Sequence, residues 1–190
     1  MRARYLGLLP TLALLAACSS ETKQEPAAPA LTFNEVMKDQ VDKNADELWD
    51  VSNAAIGDKA GINPDKMTDE RWAALQAKAE AVQQAALEIA TMDPLVTAKP
   101  GVKISDEGIP GGHTAAMVQE RFDKDPQKLR DLANALARHT GDLATAARMH
   151  DAATAGPLID QLDGVCESCH LEFWYPDQKA LVEQILGKVK

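Results

Sequence analysis

Apolar residues recur at helical spacing through most of this chain. Between residues 33 and 52 they are three or four positions apart, and charged residues fill most positions between them. This spacing predicts an amphipathic first helix with one inward-facing stripe. The stripe consists of Phe33, Met37, Val41, Ala45 and Leu48.

The next two helices are marked by capping signals as well as by periodicity. Thr68 is a good N-cap for a second helix, which Asp93-Pro94 is expected to stop. Its stripe is Trp72, Leu75, Ala79, Val82, Ala86 and Ile89. Asp125-Pro126 predicts the start of a third helix running to about Ala153. The stripe of that helix is Leu129, Leu132, Leu136, Leu143 and Ala147.

The last part of the chain continues the helical pattern. Gly156-Pro157 predicts a break before a fourth helix, and residues 178–186 predict a short final one. The apolar face of the fourth helix is Leu158, Leu162, Val165, Cys166 and Cys169. Residues 91–125 are rich in glycine and proline, with one short helical stretch at 115–122. We therefore expect an all-α fold, an antiparallel four-helix bundle with a long irregular crossover between helices two and three.

The N-terminus has the features of an export signal. Residues 1–17 contain two arginines and then a short apolar run, and Leu15-Ala16-Ala17-Cys18 resembles a bacterial lipobox. We expect residues 1–17 to be a lipoprotein signal peptide and Cys18 to be lipidated; an ordinary signal peptide is the alternative. Residues 18–30 have the composition of a flexible tether, which leaves 31–190 as one helical domain. The resemblance to lipoproteins implies a membrane anchor that faces the periplasm. A serine directly after the lipidated cysteine, as at Ser19, fits sorting to the outer membrane slightly better than retention in the inner one.

The charge of the chain limits its partners. The formal charge of −9 becomes −11 once Arg2 and Arg4 leave with residues 1–17. An acidic protein of this kind is not expected to bind nucleic acid, and it favours basic or neutral protein partners. The surface pattern leaves open whether the chain forms a homodimer.

Cys166-Glu167-Ser168-Cys169-His170 is the attachment signature of a c-type haem. Cysteines at i and i+3 on one helical turn can each form a thioether with a haem vinyl group, and a histidine at i+4 can bind the iron. The alternatives are a disulfide and a structural zinc site. A thioredoxin-like site needs a strand–helix context, and zinc usually takes four ligands, so one covalent haem c is the expected cofactor.

With this motif on its last main helix, the chain resembles the cytochrome c′ and cytochrome c-556 family over roughly residues 33–176. Phe173 matches an aromatic residue common three places after the family's histidine. Trp174 departs from the basic residue that often follows in cytochrome c′. The first helix is also similar, in Met37 and in Val41-Asp42. The resemblance implies a monohaem protein with His170 as the proximal ligand of the iron.

The resemblance also raises the question of a distal ligand. In the cytochrome c-556 branch a methionine of the first helix binds the iron, and Met37 stands at that place; in the cytochrome c′ branch the place is apolar and the iron is five-coordinate. A buried methionine is more often only core. Bis-histidine ligation through His139 or His150 is a further alternative, and His113 could cap the haem edge.

The leading hypothesis is a low-spin electron carrier with a redox partner protein and no enzymatic reaction of its own. Methionine as distal ligand raises the reduction potential and suits single-electron exchange. The alternative is a five-coordinate protein that binds nitric oxide or another small gas. A small peroxidase is a third hypothesis, which lacks a convincing distal acid–base pair.

Overall fold

The computed structural model describes residues 31–56, 61–109 and 111–188, and in this part of the chain the protein is helical without β-strands. The predicted signal peptide, Cys18 and the tether lie outside the described residues. The expectation of an all-α fold is confirmed.

Six helices are present in the described ranges. Helix α1 (residues 33–53) consists of Phe33–Val36, a π-helical segment Met37–Asp42 and Lys43–Asn53. Helices α2, α3 and α4 are Asp69–Thr91, Ala115–Lys124 and Pro126–Arg148. Helix α5 (residues 152–174) is Ala152–Cys169 followed by a π-helical segment His170–Trp174, and α6 is Lys179–Lys188.

Side-chain caps begin the helices where the sequence predicts them. The Thr68 hydroxyl accepts from the Arg71 backbone N–H, and the Asp125 carboxylate accepts from that of Lys128. These bonds satisfy donors that have no partner inside the helix. The predicted starts of helices two and three are therefore confirmed.

The break after the third long helix lies earlier than predicted. Helix α4 ends at Arg148 instead of about Ala153, and His150 follows with a φ of 55°. The His150 and Asp151 N–H groups donate to the carbonyls of Ala147 and Ala146, which is a Schellman motif. Glycine usually takes the left-handed position of this motif. Because a histidine occupies this position instead, the sequence contains no recognisable signal for the end of α4.

The predicted break at Gly156-Pro157 is wrong, because both residues lie inside α5. Asp151 caps this helix, with its carboxylate accepting from the Thr154 backbone and hydroxyl. Pro157 has no backbone N–H to donate to the carbonyl of Ala153, four residues earlier. Both residues are exposed, so solvent can reach that carbonyl. A Cβ at Gly156 would lie 3.4 Å from the backbone nitrogen of Ile62, an ordinary van der Waals contact.

Neighbouring long helices run in opposite directions. Arg130, near the start of α4, donates to the carbonyls of Ala90 and Met92 at the end of α2. Gln40 of α1 pairs with Glu88 of α2. Glu47, about two turns later in α1, pairs with Lys78, nearly three turns earlier in α2. Helix α2 packs along α4, and α4 along α5.

The crossover between α2 and α4 is bonded to the start of α1. The backbone N–H groups of Phe33 and Asn34 donate to the carbonyls of Val96 and Thr97, over 2.8 and 2.9 Å. Gln119 of α3 in turn holds the Thr97 backbone N–H and the Leu95 carbonyl. The long crossover thus satisfies helix-start donors that would otherwise need solvent.

None of the helices in the described ranges is both long and apolar enough to cross a membrane.

Candidate functional site

The motif residues occupy the C-terminal end of α5. Cys166 and Cys169 are free cysteines one helical turn apart, and His170 begins the π-helical segment that follows. All three residues line the same cavity, together with Val165 of the same helix.

This cavity has the apolar character of a cofactor site. Its volume is about 30 Å³, so it is a narrow apolar space between the helices. All four long helices contribute to the wall, whose apolar residues are Phe33, Met37, Val41, Ala86, Ile89, Leu129, Leu132, Ala133, Leu136 and Val165.

A second, more polar cavity of about 110 Å³ adjoins the first, and Phe33, Met37 and His170 line both. Its other lining residues are Asn34, Lys38, Asp42, Ser105, Asp106, Trp174 and Tyr175. Burial raises the pKa of the Asp42 carboxyl, with Asp46 adding to the rise and His170 opposing it. An apolar interior beside a polar mouth matches the two sides of a haem, an apolar macrocycle with two propionates.

Met37 is brought to the same cavity as the two cysteines and His170. Met92, Met117 and Met149 do not line this cavity: Met92 is buried at the end of α2, while Met117 and Met149 are exposed. A thioether sulfur is a soft donor of the kind found opposite histidine in cytochromes c. Met37 is therefore the methionine positioned for a distal role.

Two π-helical segments contribute to the site, one on each side of it. Met37 begins the segment in α1 and His170 begins the one in α5. Such segments are rare and occur frequently at functional sites, where the wider turn re-aims side chains. The sequence contains an indication of the π-helical segment in α1, because its apolar residues Phe33, Met37, Val41 and Ala45 follow one another in steps of four. In a regular α-helix three such steps would rotate the stripe by about 120°.

The three other histidines make contacts away from the cavity. His139 binds the Leu158 carbonyl through Nε2 over 2.7 Å, which joins α4 to α5. His150 stacks on Trp72 with ring centroids 5.4 Å apart. Neither lines the cavity, so the geometry disfavours the bis-histidine alternative.

His113 is buried and held between two side chains. Its Nε2 lies 3.1 Å from the Asp177 carboxylate, and its Nδ1 lies 3.2 Å from an Arg121 nitrogen. This arrangement ties the crossover to the segment after the haem motif. Because neither cavity is lined by His113, the structure does not place it at the edge of the candidate haem site.

Both thiols of the motif are shifted toward the protonated form. Burial raises the pKa of Cys166 to about 11, and nearby Asp163 adds to the rise. Burial raises the pKa of Cys169 to about 12. Redox-active and zinc-binding cysteines act as thiolates, and surroundings that favour them lower the thiol pKa. The surroundings observed here therefore disfavour the thiolate form of both cysteines.

A hydrogen-bonded chain behind His170 was not anticipated from the sequence. The Tyr175 hydroxyl lies 3.1 Å from His170 Nδ1 and donates to the Glu167 carboxylate over 2.9 Å. Burial and the bond to Glu167 raise the pKa of Tyr175, which keeps its hydroxyl protonated. Because Nδ1 is engaged, Nε2 of His170 stays available for a metal.

Aromatic residues close the site next to the motif. Phe173, noted in the sequence for its spacing from His170, is buried edge-on against Phe122 with centroids 5.4 Å apart. Phe33 contacts Phe122 in turn and lies 6.2 Å from the Trp174 ring. These contacts fix the backbone immediately after the histidine.

In the described part of the chain, no group of three or more histidine, cysteine, aspartate and glutamate side chains could hold a metal ion. A conventional zinc site is therefore absent there. A haem iron is held mainly by the porphyrin and needs only axial donors, one of which can be methionine. In comparisons with known proteins, no family model, curated protein or solved structure matches this chain.

Proposed function

We propose that this chain is a monohaem c-type cytochrome that carries single electrons. One haem c would be joined through thioethers to Cys166 and Cys169, with His170 as proximal and Met37 as distal ligand. The observation that supports this most is the shared cavity. Residues far apart in sequence, from α1 and α5, line one apolar space that contains both cysteines, the histidine and the methionine.

The groups that line the two cavities would have different roles toward the haem. When bound, the haem supplies one-electron chemistry at its iron. His170 would present Nε2, and Met37 would offer a thioether that raises the reduction potential. The apolar walls from α2 and α4 exclude water, while Lys38 and Asn34 at the polar mouth are donors suited to propionates.

The proposed architecture is an antiparallel four-helix bundle of the cytochrome c′ and cytochrome c-556 type, formed by α1, α2, α4 and α5. The opposite directions of neighbouring helices support it, as do Phe173 and Met37. Trp174 remains a departure from the basic residue of cytochrome c′. Helices α3 and α6 would be additions to the bundle.

The proposed setting is the periplasmic face of a bacterial membrane, the outer one slightly favoured. Lipidation at Cys18 would anchor the chain, and residues 18–30 would tether the domain. The acidic charge suits a basic or neutral redox partner protein. We propose no catalysed reaction.

Expression with cytochrome c maturation machinery tests the proposal. We expect the purified protein to keep haem through denaturation, and its mass to include one haem. The double variant Cys166→Ala, Cys169→Ala should lose that haem. Ser168→Ala, between the cysteines and exposed, is the matched control and should retain it. Absence of covalent haem from the unmodified protein would refute the proposal.

A second candidate function is binding of nitric oxide or another small gas at a five-coordinate iron. The apolar wall beside Met37, formed by Phe33 and Val41, favours it because such a surface offers no competing polar ligand. Carbon monoxide separates the two functions. A ferrous spectrum that does not respond to it indicates the electron carrier, and a spectrum that shifts indicates an open iron.

A further inference from the structure

The π-helical segment after Cys169 places a tyrosine behind the candidate proximal ligand. The Tyr175 backbone N–H donates to the His170 carbonyl over 2.9 Å, a bond spanning five residues. In a regular α-helix the His170 carbonyl would accept from the backbone N–H of Trp174, one residue earlier than Tyr175. The wider turn therefore returns Tyr175 to His170, where the two rings lie 5.6 Å apart between centroids.

The chemistry of the three groups fixes the direction of the hydrogen bonds. A carboxylate can only accept, so the single Tyr175 hydroxyl proton points to Glu167. The hydroxyl oxygen must then accept from His170 Nδ1–H. This selects the imidazole tautomer whose Nε2 carries the free lone pair.

The same chain conveys negative charge toward the imidazole. Glu167 and His170 are three residues apart in sequence and both are half-buried, which limits screening of the carboxylate by water. Carboxylates behind a ligating histidine orient its ring and raise its basicity. A more basic ligand favours the oxidised metal over the reduced one.

We propose that Tyr175 and Glu167 are positioning residues that hold His170 and lower the reduction potential of its haem, opposing the effect of Met37. This inference rests on the proposed function. The hydroxyl of Tyr175 is the link: without it, the Glu167 charge remains but no longer reaches Nδ1 through hydrogen bonds.

Redox titration of the haem-loaded full-length protein tests the chain. Tyr175→Phe keeps the ring and all formal charges. We expect it to shift the equilibrium between oxidised and reduced haem about tenfold toward the reduced form, the low end of the effects found for residues that hydrogen-bond to a metal ligand. That corresponds to about 59 mV for one electron. Glu167→Gln should shift the potential in the same direction. The double variant should shift it little further than the larger single change, because both act through one chain.

Glu172→Gln is the matched control, since Glu172 lies on the same helix, α5, but pairs with Lys179. It removes an equal charge and should shift the potential much less than Glu167→Gln. An unchanged potential in Tyr175→Phe overturns the inference, even if Glu167→Gln shifts it, because a through-space charge effect would then suffice. If the Tyr175→Phe variant does not attach haem, the two glutamate variants decide. A shift in reduction potential no larger in Glu167→Gln than in Glu172→Gln then overturns the inference. Failure of the unmodified protein to attach haem would instead refute the proposed function.

Discussion

The two halves of the helical domain differ in regularity. Helices α2 and α4 are α-helical from end to end and pack closely through small buried residues such as Ala79, Ala137 and Ala144. Helices α1 and α5 each contain a π-helical segment, and they bring Met37, the two cysteines and His170 to a cavity whose remaining wall comes from α2 and α4. The regular half supplies a close-packed support. The irregular half leaves space and aims chemical groups into it.

The largest expected effect of a single substitution in the irregular half comes from Met37→Ala. Removing the proposed distal ligand should convert a low-spin spectrum to a high-spin one and allow carbon monoxide to bind. Met149→Ala is the control, because Met149 is 70% exposed and remote from the cavity. Optical spectra of oxidised, reduced and carbon monoxide-treated protein measure the change. A spectrum indifferent to Met37→Ala would show that another group, or none, binds the iron.

In the regular half, Leu143→Ala should reduce stability without affecting the spectrum. Leu143 is fully buried in α4, and such a truncation costs about 2–5 kcal/mol of unfolding free energy. Leu132→Ala, on the half-buried cavity wall of the same helix, should cost less but perturb the spectrum. Denaturant titration and optical spectra measure both. Equal losses of stability would contradict the proposed division of roles.

Smaller changes are expected from two glycines. A Cβ added at Gly164 of α5 would have no neighbour within 4 Å, so Gly164→Ala should gain about 1 kcal/mol from helix propensity. A Cβ at Gly141 of α4 would lie 2.3 Å from Gln83 Nε2, the end of a flexible side chain. Gly141→Ala should therefore gain less than Gly164→Ala in thermal unfolding. A larger gain at Gly141 would mean that the regular half is less tightly packed there than the structure indicates.

The smallest effect concerns the junction between α1 and the crossover. Bonds from Lys99 and Thr32 lower the pKa of Glu35 from 4.5 to about 2. Stability from a lowered carboxyl pKa is present above the unfolded value and is lost as pH falls through the folded one. The stability difference between the unmodified protein and Glu35→Gln should therefore shrink from about pH 4.5 to 2. A difference that is constant with pH would mean that ionisation of Glu35 does not contribute.

Features decided within a few residues were predicted well. Thr68 and Asp125 mark helix starts because a capping side chain bonds only to the next turn. The breaks near residue 150 were misplaced for a related reason. His150 occupies a left-handed position that glycine usually marks, and Pro157 stands in a helix that proline usually interrupts.

The candidate site was predicted in part. The sequence identified Cys166, Cys169 and His170 by spacing, and it placed Met37 on the inward-facing stripe of the first helix. It favoured Met37 but left His139 open as an alternative distal ligand, because both lie on apolar faces. The bond from His139 to the Leu158 carbonyl distinguishes them, and that bond joins two helices.

By itself the sequence determined the helical class, the caps and the Cys-x-x-Cys-His motif, because each depends on residues within one or two turns of one another. Only the tertiary structure decided that Met37 lies at the same cavity as the motif and that Tyr175 returns to His170. Those arrangements depend on two π-helical turns and on the packing of the four long helices around a common space. Periodicity along one helix does not specify distances between helices, so no local pattern could have supplied them.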